Sequence, residues 1–451
     1  MGLLYVASYL QQNTTGHDIR LIDCIGERQD YGDLTAILKD IKPDVVGITS
    51  FTISLIDVLK TARLVRQINP ETHLCLGGHH PIAFPYQAAQ LKEFDSIVVG
   101  EGEIAFTELV NAIEKRNSID HIRGVYTSTS LERHHDSSFS DNRFLPGVNV
   151  PPAYIENIEE LPIPNRAFIR RGQYYNPIGL TSKFTTMITS RGCPFHCTFC
   201  DMPYKKFRKR SVEKVIEEVK DCLSRGYEEI HFYDDLFNIT DQWLVEFCDA
   251  VEKYQLKFKW DFRSRVNTVK KESLIRAKKA GCWCVGFGVE TGTDEGLRMV
   301  RKGITISQIR QAFRFCREAG LRSIADFMLG FPFEKTENDV RRNFNFLIDL
   351  DPDYAVFQIL MFLPNTEIYK DAISKGLTNH QKWIDFSLNP HPDFCIDYWT
   401  EHISREKLVH LQVEGYRKFY LRPKQIWRIA CSTTSLHQFK RRFQGFLALW
   451  K

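Results

Sequence analysis

The chain has 451 residues, 43% of them hydrophobic and 26% charged, with 60 Lys and Arg against 56 Asp and Glu for a formal net charge of +4. This is a globular composition with room for two or three domains, and it excludes a disordered, collagenous or disulfide-stapled chain. The charge balance gives no argument for nucleic-acid binding, and no apolar run approaches the ~18 residues of a membrane span. The N-terminus lacks a signal-peptide layout, and 12 scattered cysteines suit a reduced, cytoplasmic protein.

Over residues 1–128 strand-like and helix-like patches alternate. Strands are predicted at Ile19–Asp23, Asp44–Thr49, His73–Leu76 and Asp95–Val99. Between them an apolar stripe of Leu55, Ile56, Val58, Leu59, Ala62 and Val65 predicts a helix that Pro70 stops. The alternation predicts a parallel, doubly wound (Rossmann-like) α/β sheet whose ligands sit at the carboxyl ends of the strands. Those ends carry Thr49 and Ser50, then Gly77, Gly78, His79, His80 and Pro81, then Gly100, Glu101, Gly102 and Glu103.

Gly100, Gly102 and Ala105 also satisfy a lenient dinucleotide fingerprint, but at the last βα turn, whereas that fingerprint belongs to the first. The order of strand, Gly-Gly-x-His-Pro, strand, Gly-Glu-Gly-Glu instead resembles the cobalamin-binding domain that stands before many radical S-adenosylmethionine (SAM) domains. The resemblance implies that Thr49 and Ser50 line the corrinoid's nucleotide tail and that Gly77, Gly78, Gly100 and Gly102 permit close backbone approach near His79. It also implies that Glu101 and Glu103 accept hydrogen bonds. The alternative is that the glycines only make tight turns and Glu103 caps a helix. None of His17, His73, His79 or His121 has an Asp two before and a Gly three after, so no histidine-ligated cobalamin is expected. Relatives begin with a strand and a Pro-Pro stretch ahead of the equivalent of Gly2–Ala7, whereas this chain opens inside the first helix.

Residues 129–182 read as a linker, polar at first, with His134 and His135 beside Asp136, then punctuated by Pro146, Pro151, Pro152, Pro162 and Pro164. A solvated loop is the plain reading of the His pair, because no further ligand stands at a recognised spacing.

Residues 183–375 hold six βα units, with strands predicted at 185–189, 229–233, 258–263, 285–289, 323–329 and 354–360. They suit a partial (β/α)6 barrel, whose chemistry gathers at the carboxyl ends of the strands. After the first strand comes Arg191-Gly-Cys193-Pro-Phe-His-Cys197-Thr-Phe199-Cys200, a C-x3-C-x2-C triple. Closed zinc or ferredoxin sites take four ligands, so a compact triple leaves one position for an exogenous group; the alternative is a zinc knuckle that borrows His196 or a distant ligand.

The triple, with Phe199 before its last cysteine, resembles the radical SAM superfamily. By that resemblance Cys193, Cys197 and Cys200 hold a [4Fe-4S] cluster whose fourth iron binds SAM, which is cleaved reductively to a 5'-deoxyadenosyl radical. The turn at Asp234 and Asp235 then lies near the SAM amino group, a helix N-cap being the alternative. Arg263 takes the methionine carboxylate, with Arg265 as rival, and shares a strand face with Asp261. Glu290 binds the ribose hydroxyls, and the Gly330 turn packs near adenine. Cys282 and Cys284, on a buried strand, are expected to be packing.

Residues 376–451 form a small C-terminal helical region. Trp383, Phe394, Tyr398 and Trp399, with His380, His391 and Cys395, suit a lid over the barrel mouth. A basic tail follows, including Arg417, Lys418, Arg422, Lys424, Arg428 and Lys440–Arg442 interleaved with Phe439, Phe443 and Trp450; it is read as a docked helix or a peripheral membrane contact. The whole resembles a cobalamin-binding radical SAM enzyme, and the leading expectation is a methyltransferase acting on an unactivated centre of a small molecule. The alternatives are an oxidative cyclase of the anaerobic magnesium-protoporphyrin IX monomethyl ester type and a non-catalytic corrinoid or redox sensor. A flavodoxin or ferredoxin is the expected electron donor, and no nucleic acid is expected as partner.

Overall fold

The computed structural model describes residues 1–133, 151–170, 174, 176 and 178–433. His134, His135 and Asp136, most of the polar linker and the basic residues beyond 433 lie outside the described residues. The chain divides into two compact units, one of residues 1–174 and 379–395, the other of residues 175–378 and 396–451.

In the first unit, parallel strands β1 (Val45–Ser50), β2 (His73–Gly78) and β3 (Ser96–Val98) lie in that order, with β4 (Val125–Tyr126) antiparallel beyond β3. Strand alternation sends Leu74 and Leu76 into one core with Leu59, Ala62 and Val65 of the helix Leu55–Ile68. Cys75 and Val98 face the other way, toward Ala105, Leu109 and Ala112 of the helix Gly102–Glu114. Both faces are covered, as a parallel sheet requires. The helix Gly2–Asn13 packs beside Gly102–Glu114.

The strand expected at 19–23 does not form. A strand exists through a neighbour's ladder, and among the described residues nothing pairs with this segment. The aromatic segment read as one lid is divided between the units. In the first, Phe84 stacks on His380 and Trp383, and Phe394 stacks on Phe386 at 4.0 Å. In the second, Trp399 packs edge-on to Phe362, and Tyr398 bridges to Met361.

The second unit is built on six parallel strands: β5 (Phe184–Met187), β8 (Glu229–Phe232), β9 (Lys259–Ser264), β10 (Cys282–Glu290), β11 (Arg322–Leu329) and β12 (Tyr354–Ile359). Each lies beside its predecessor in the order β12-β11-β10-β9-β8-β5. The two-stranded ribbon of β6 (Ser190–Arg191) and β7 (Arg208–Lys209) is inserted after β5. Outward residues Ile230, Phe232, Trp260, Phe262, Phe287, Phe327 and Phe357 pack against the surrounding helices, including Val212–Ser224, Asp241–Lys253 and Ile306–Glu318. Their alternating neighbours His231, Asp261, Arg263, Gly286 and Asp326 occupy the opposite face. This is the expected partial barrel. Cys282 and Cys284 are buried in it, and burial pushes both thiols up.

Candidate active site

The ribbon forms the neck of the cysteine loop. Gly192 has φ +80, and a Cβ there would meet the Lys206 carbonyl oxygen at 2.4 Å, so the two ends of the loop can close only over glycine. Beneath the neck lies buried Asp234. Its Oδ1 accepts from the Thr189 and Ser190 amides and from their hydroxyls, at 2.5 to 3.0 Å. Burial still lifts its carboxyl to about 6. Asp234 thus holds the loop's entry through Oδ1, while its Oδ2 is buried with no hydrogen-bond partner; its neighbour Asp235 is exposed and close enough to raise the Cys193 thiol.

All three cysteines are free and half-buried, and burial pushes up the thiols of Cys193 and Cys200. Among the described residues the one group of three His, Cys, Asp or Glu ligand atoms within 4.8 Å of one another is Glu229, His231 and Asp261. The three thiols offer soft ligands from one short loop, and His196 beside them is exposed. A cluster held by three thiolates with one iron left for another ligand fits this donor set.

Side chains from the strand ends surround the triple. Arg265, just past β9, is buried with its guanidinium carbon 3.7 Å over the Phe195 ring. Glu290 ends β10 at φ +66, a left-handed conformation rare for a side-chain-bearing residue, and its Oε1 pairs with Lys302 Nζ at 2.6 Å. A Cβ on Gly288 would sit 2.5 Å from that oxygen, so the pair occupies the space glycine leaves. Burial works against the Lys302 charge, but Glu290 and Cys197 outweigh it and the ammonium is held above its ordinary range. Phe199 lies 5.9 Å from Lys302 Nζ and packs edge-on to Phe331 at 5.9 Å. Gly330 turns with φ +83, its amide and that of Phe331 donating to buried Glu334, whose carboxyl burial raises to about 7.

Arg263 lies on the same strand face as Asp261, as parity predicts. Its Nη1 donates to Asp326 at 2.6 Å across Gly286, where a Cβ would meet the guanidinium at 2.4 Å. Below, His231 pairs with Asp261 through Nδ1 and meets Asn176 through Nε2 at 2.8 Å, while Glu229 accepts the amides of Leu180 and Thr181. That group is closed on itself and belongs to the barrel's floor. Lys302, Asp326 and Glu334 escaped the sequence reading, because no spacing announces a partner that only the sheet register supplies.

In the first unit Thr49 is exposed at the end of β1, Ser50 donates to the Gly77 carbonyl at 3.0 Å, and a Cβ on Gly77 would meet nothing within 4 Å. His79 stacks with exposed Phe51 at 5.4 Å. Gly77 is thus open to a ligand. The other glycines serve the chain itself: a Cβ on Gly78 would lie 2.6 Å from the Ser50 amide, and one on Gly100 2.3 Å from the Ala153 carbonyl. Glu101 accepts the Ile155 amide at 2.6 Å, a Cβ on Gly102 would lie 3.3 Å from Val6, and Glu103 is buried in its helix's first turn. The close approach that Gly100 permits is therefore taken by residues 153–155.

A parallel α/β sheet with one open glycine at its ligand edge, and a partial barrel with a cysteine triple at its strand ends, define a two-cofactor architecture. Residues 187–347 match the Radical SAM superfamily and residues 1–110 the B12 binding domain. The chain is 32% identical over 431 residues to an uncharacterized methyltransferase of Pyrococcus horikoshii, covering 94% of this chain and 88% of that protein. It is 26% identical to the anaerobic magnesium-protoporphyrin IX monomethyl ester cyclase of Cereibacter sphaeroides, over 90% of this chain and 64% of the cyclase. In fold it is similar to the radical SAM methyltransferase TsrM of Kitasatospora setae, solved with cobalamin and a [4Fe-4S] cluster, with TM-score 0.72, 16% identity and 95% and 87% of the two chains covered. The chain belongs to the cobalamin-dependent radical SAM methyltransferase family, and its cofactors are a [4Fe-4S] cluster, SAM and cobalamin. The cyclase is a more distant relative.

Proposed function

We propose that this enzyme methylates an unactivated centre of a small-molecule substrate, with Cys193, Cys197 and Cys200 as the cluster ligands. When bound, the cluster and SAM supply a 5'-deoxyadenosyl radical and cobalamin a transferable methyl group. The chain's own residues position these groups. Glu290, its carboxylate held by Lys302, is set to accept the ribose hydroxyls, and the turn of Asp234, whose Oδ2 is unpartnered, and exposed Asp235 beside Cys193 suits the SAM amino group. Arg263 keeps donors beyond the one given to Asp326 and suits the methionine carboxylate. Phe199 and the Gly330 turn wall the adenine side and exclude water. At the other cofactor, Thr49, Ser50, Gly77 and His79 suit the corrinoid's tail, with Gly78 shaping the turn between them.

The observation that carries this reading is the free cysteine triple in one short loop at the carboxyl end of a strand of the parallel barrel. Protein reconstituted anaerobically with iron and sulfide, then given dithionite and SAM, is expected to release 5'-deoxyadenosine and to carry a corrinoid visible by mass spectrometry. Absence of 5'-deoxyadenosine from cluster-loaded protein would sink the enzymatic reading. A flavodoxin- or ferredoxin-type protein in the cytoplasm is the donor we assign. No helix among the described residues is long and apolar enough to cross a membrane. In the helix Pro423–Cys431 Trp427 is 72% exposed, which supports a peripheral membrane contact through the basic C-terminal stretch.

A further inference from the structure

Several buried charges of the second unit stand in ion pairs: Lys302 has Glu290, Arg210 has Glu218 and His231 has Asp261. Arg265 breaks the pattern. It is 7% exposed and has no carboxylate at ion-pair distance among the described residues. Its fixed contacts are the Phe195 face at 3.7 Å and the Lys302 carbonyl, to which Nη2 donates. Phe195 stands between Cys193 and Cys197 in the chain, so the stacked guanidinium lies beside the cysteine loop, where Cys197, Cys193 and more weakly Glu290 attract it, and its Nε–H is buried with no partner. A buried guanidinium without a counter-charge is costly, so the site is built for negative charge to arrive there. Lys302, the other cation near Cys197, is already neutralised by Glu290.

We propose that Arg265 is a positioning residue that sets the reduction potential of the cysteine-held cluster: anchored on Phe195 and the Lys302 carbonyl, its buried guanidinium stands beside the cysteine loop and favours the cluster's more negative, reduced state. The physical basis is general. A cluster on thiolates gains one negative charge when it takes up an electron, and hydrogen bonds to its sulfurs and a nearby fixed cation in a water-poor setting stabilise that added charge. Asp235 near Cys193 has the opposite sign, but it is exposed and screened by water, and Lys205 near Cys200 is only half-buried. Arg265 is therefore a buried cation beside the triple that, among the described residues, no carboxylate pairs. By this reading it serves the cluster, while the SAM carboxylate falls to Arg263.

The inference rests on the [4Fe-4S] reading, and the test separates the two. Full-length protein and the variants R265Q and R265K are reconstituted anaerobically, iron and sulfide are counted, and the cluster is titrated with dithionite and mediators without SAM, followed by its electron paramagnetic resonance signal. R265Q is expected to hold its iron and to show at least a tenfold smaller reduced-to-oxidised ratio at a given potential, a downward shift of about 59 mV or more for a one-electron couple. R265K, which keeps the charge, is expected to stay nearer the wild type. An unchanged potential in cluster-loaded R265Q overturns the proposal, as does R265K falling as far as R265Q. Should R265Q fail to assemble a cluster, R265K decides: a loaded cluster near the wild-type potential upholds the role of charge, and loss of iron there too shows a merely structural residue. Wild-type protein that binds no iron removes the cluster reading and this inference with it.

Discussion

Replacing Lys302 by Met tests the site's central ion pair. Lys302 Nζ and Glu290 Oε1 are 2.6 Å apart, and each side chain is 11% exposed. At that distance the gross attraction is about 6 kcal/mol for an effective dielectric constant near 20. Desolvation of the two ions costs several kcal/mol each, so the pair as a whole adds little net stability. Removing one partner is different, because it strands a buried charge, and K302M is expected to cost about 3–5 kcal/mol. For a unit of this size that lowers the melting transition by roughly 10 °C. The double variant K302M/E290Q has no buried charge left and is expected to recover most of the loss, ending within about 1.5 kcal/mol of wild type. SAM affinity should behave otherwise: if Glu290 is the ribose acceptor, it falls in E290Q and stays low in the stable double variant. Urea unfolding of the four proteins and calorimetric SAM titration of their reconstituted forms give both answers. Additive stability losses, or restored SAM binding in the double variant, would refute the argument.

Asp234→Ala removes the acceptor of two buried amides and two hydroxyls, and at about 1–3 kcal/mol for each orphaned amide it should destabilise the loop by roughly 2–5 kcal/mol and lower the iron bound per chain. Iron and sulfide analysis checks this, and full occupancy in the variant contradicts it. His231 is buried, which opposes its charge, but Asp261 more than compensates and the folded pKa lies above the unfolded value near 6.5. A raised histidine gives stability that is complete below the unfolded pKa and lost as pH rises through the folded one. Wild-type urea midpoints should therefore drop as pH rises above the unfolded value near 6.5, and H231Q should flatten that part of the slope; identical slopes would deny the linkage. Gly77→Ala meets no atom of the protein within 4 Å, so it should leave the melting temperature unchanged while weakening cobalamin binding, measured by corrinoid absorbance after gel filtration. Gly78→Ala, 2.6 Å from the Ser50 amide at φ +93, should instead destabilise the first unit.

Periodicity found nearly all of the barrel, because each strand carries its own alternating apolar face and each helix its own stripe, and both are local properties. It misjudged 19–23, where β-branched content favours extended backbone but pairing depends on a neighbour. The cysteine loop was legible because its ligands are close in sequence. The difference between Asp234 and Asp235 was not: adjacent carboxylates are equivalent on paper, and only the fold of the β5–β6 turn buries the first under the loop and leaves the second exposed. Gly100 and Glu101 looked like ligand-binding turns for a related reason. A positive φ and a free carboxylate suit a cofactor or a crossing chain equally well, and here the crossing chain is Ala153–Ile155.

The glycines of the barrel make the converse point. Gly286 and Gly288 sit on one face of β10, and each gives its missing Cβ volume to a charged side chain, Arg263 in one case and the Glu290–Lys302 pair in the other. A methyl at either position would displace a charge from a site where desolvation makes it costly to move. Small residues on this strand thus set where charge stands, and charge in turn decides which parts of a cationic sulfonium cofactor can be held. Alanine at Gly286 should therefore act on SAM affinity through Arg263, with a Cβ 2.4 Å from Nη1 forcing the guanidinium out. In the background R263Q the same alanine should have no further effect on SAM affinity, and an additive loss would show that Gly286 acts by some route other than the arginine.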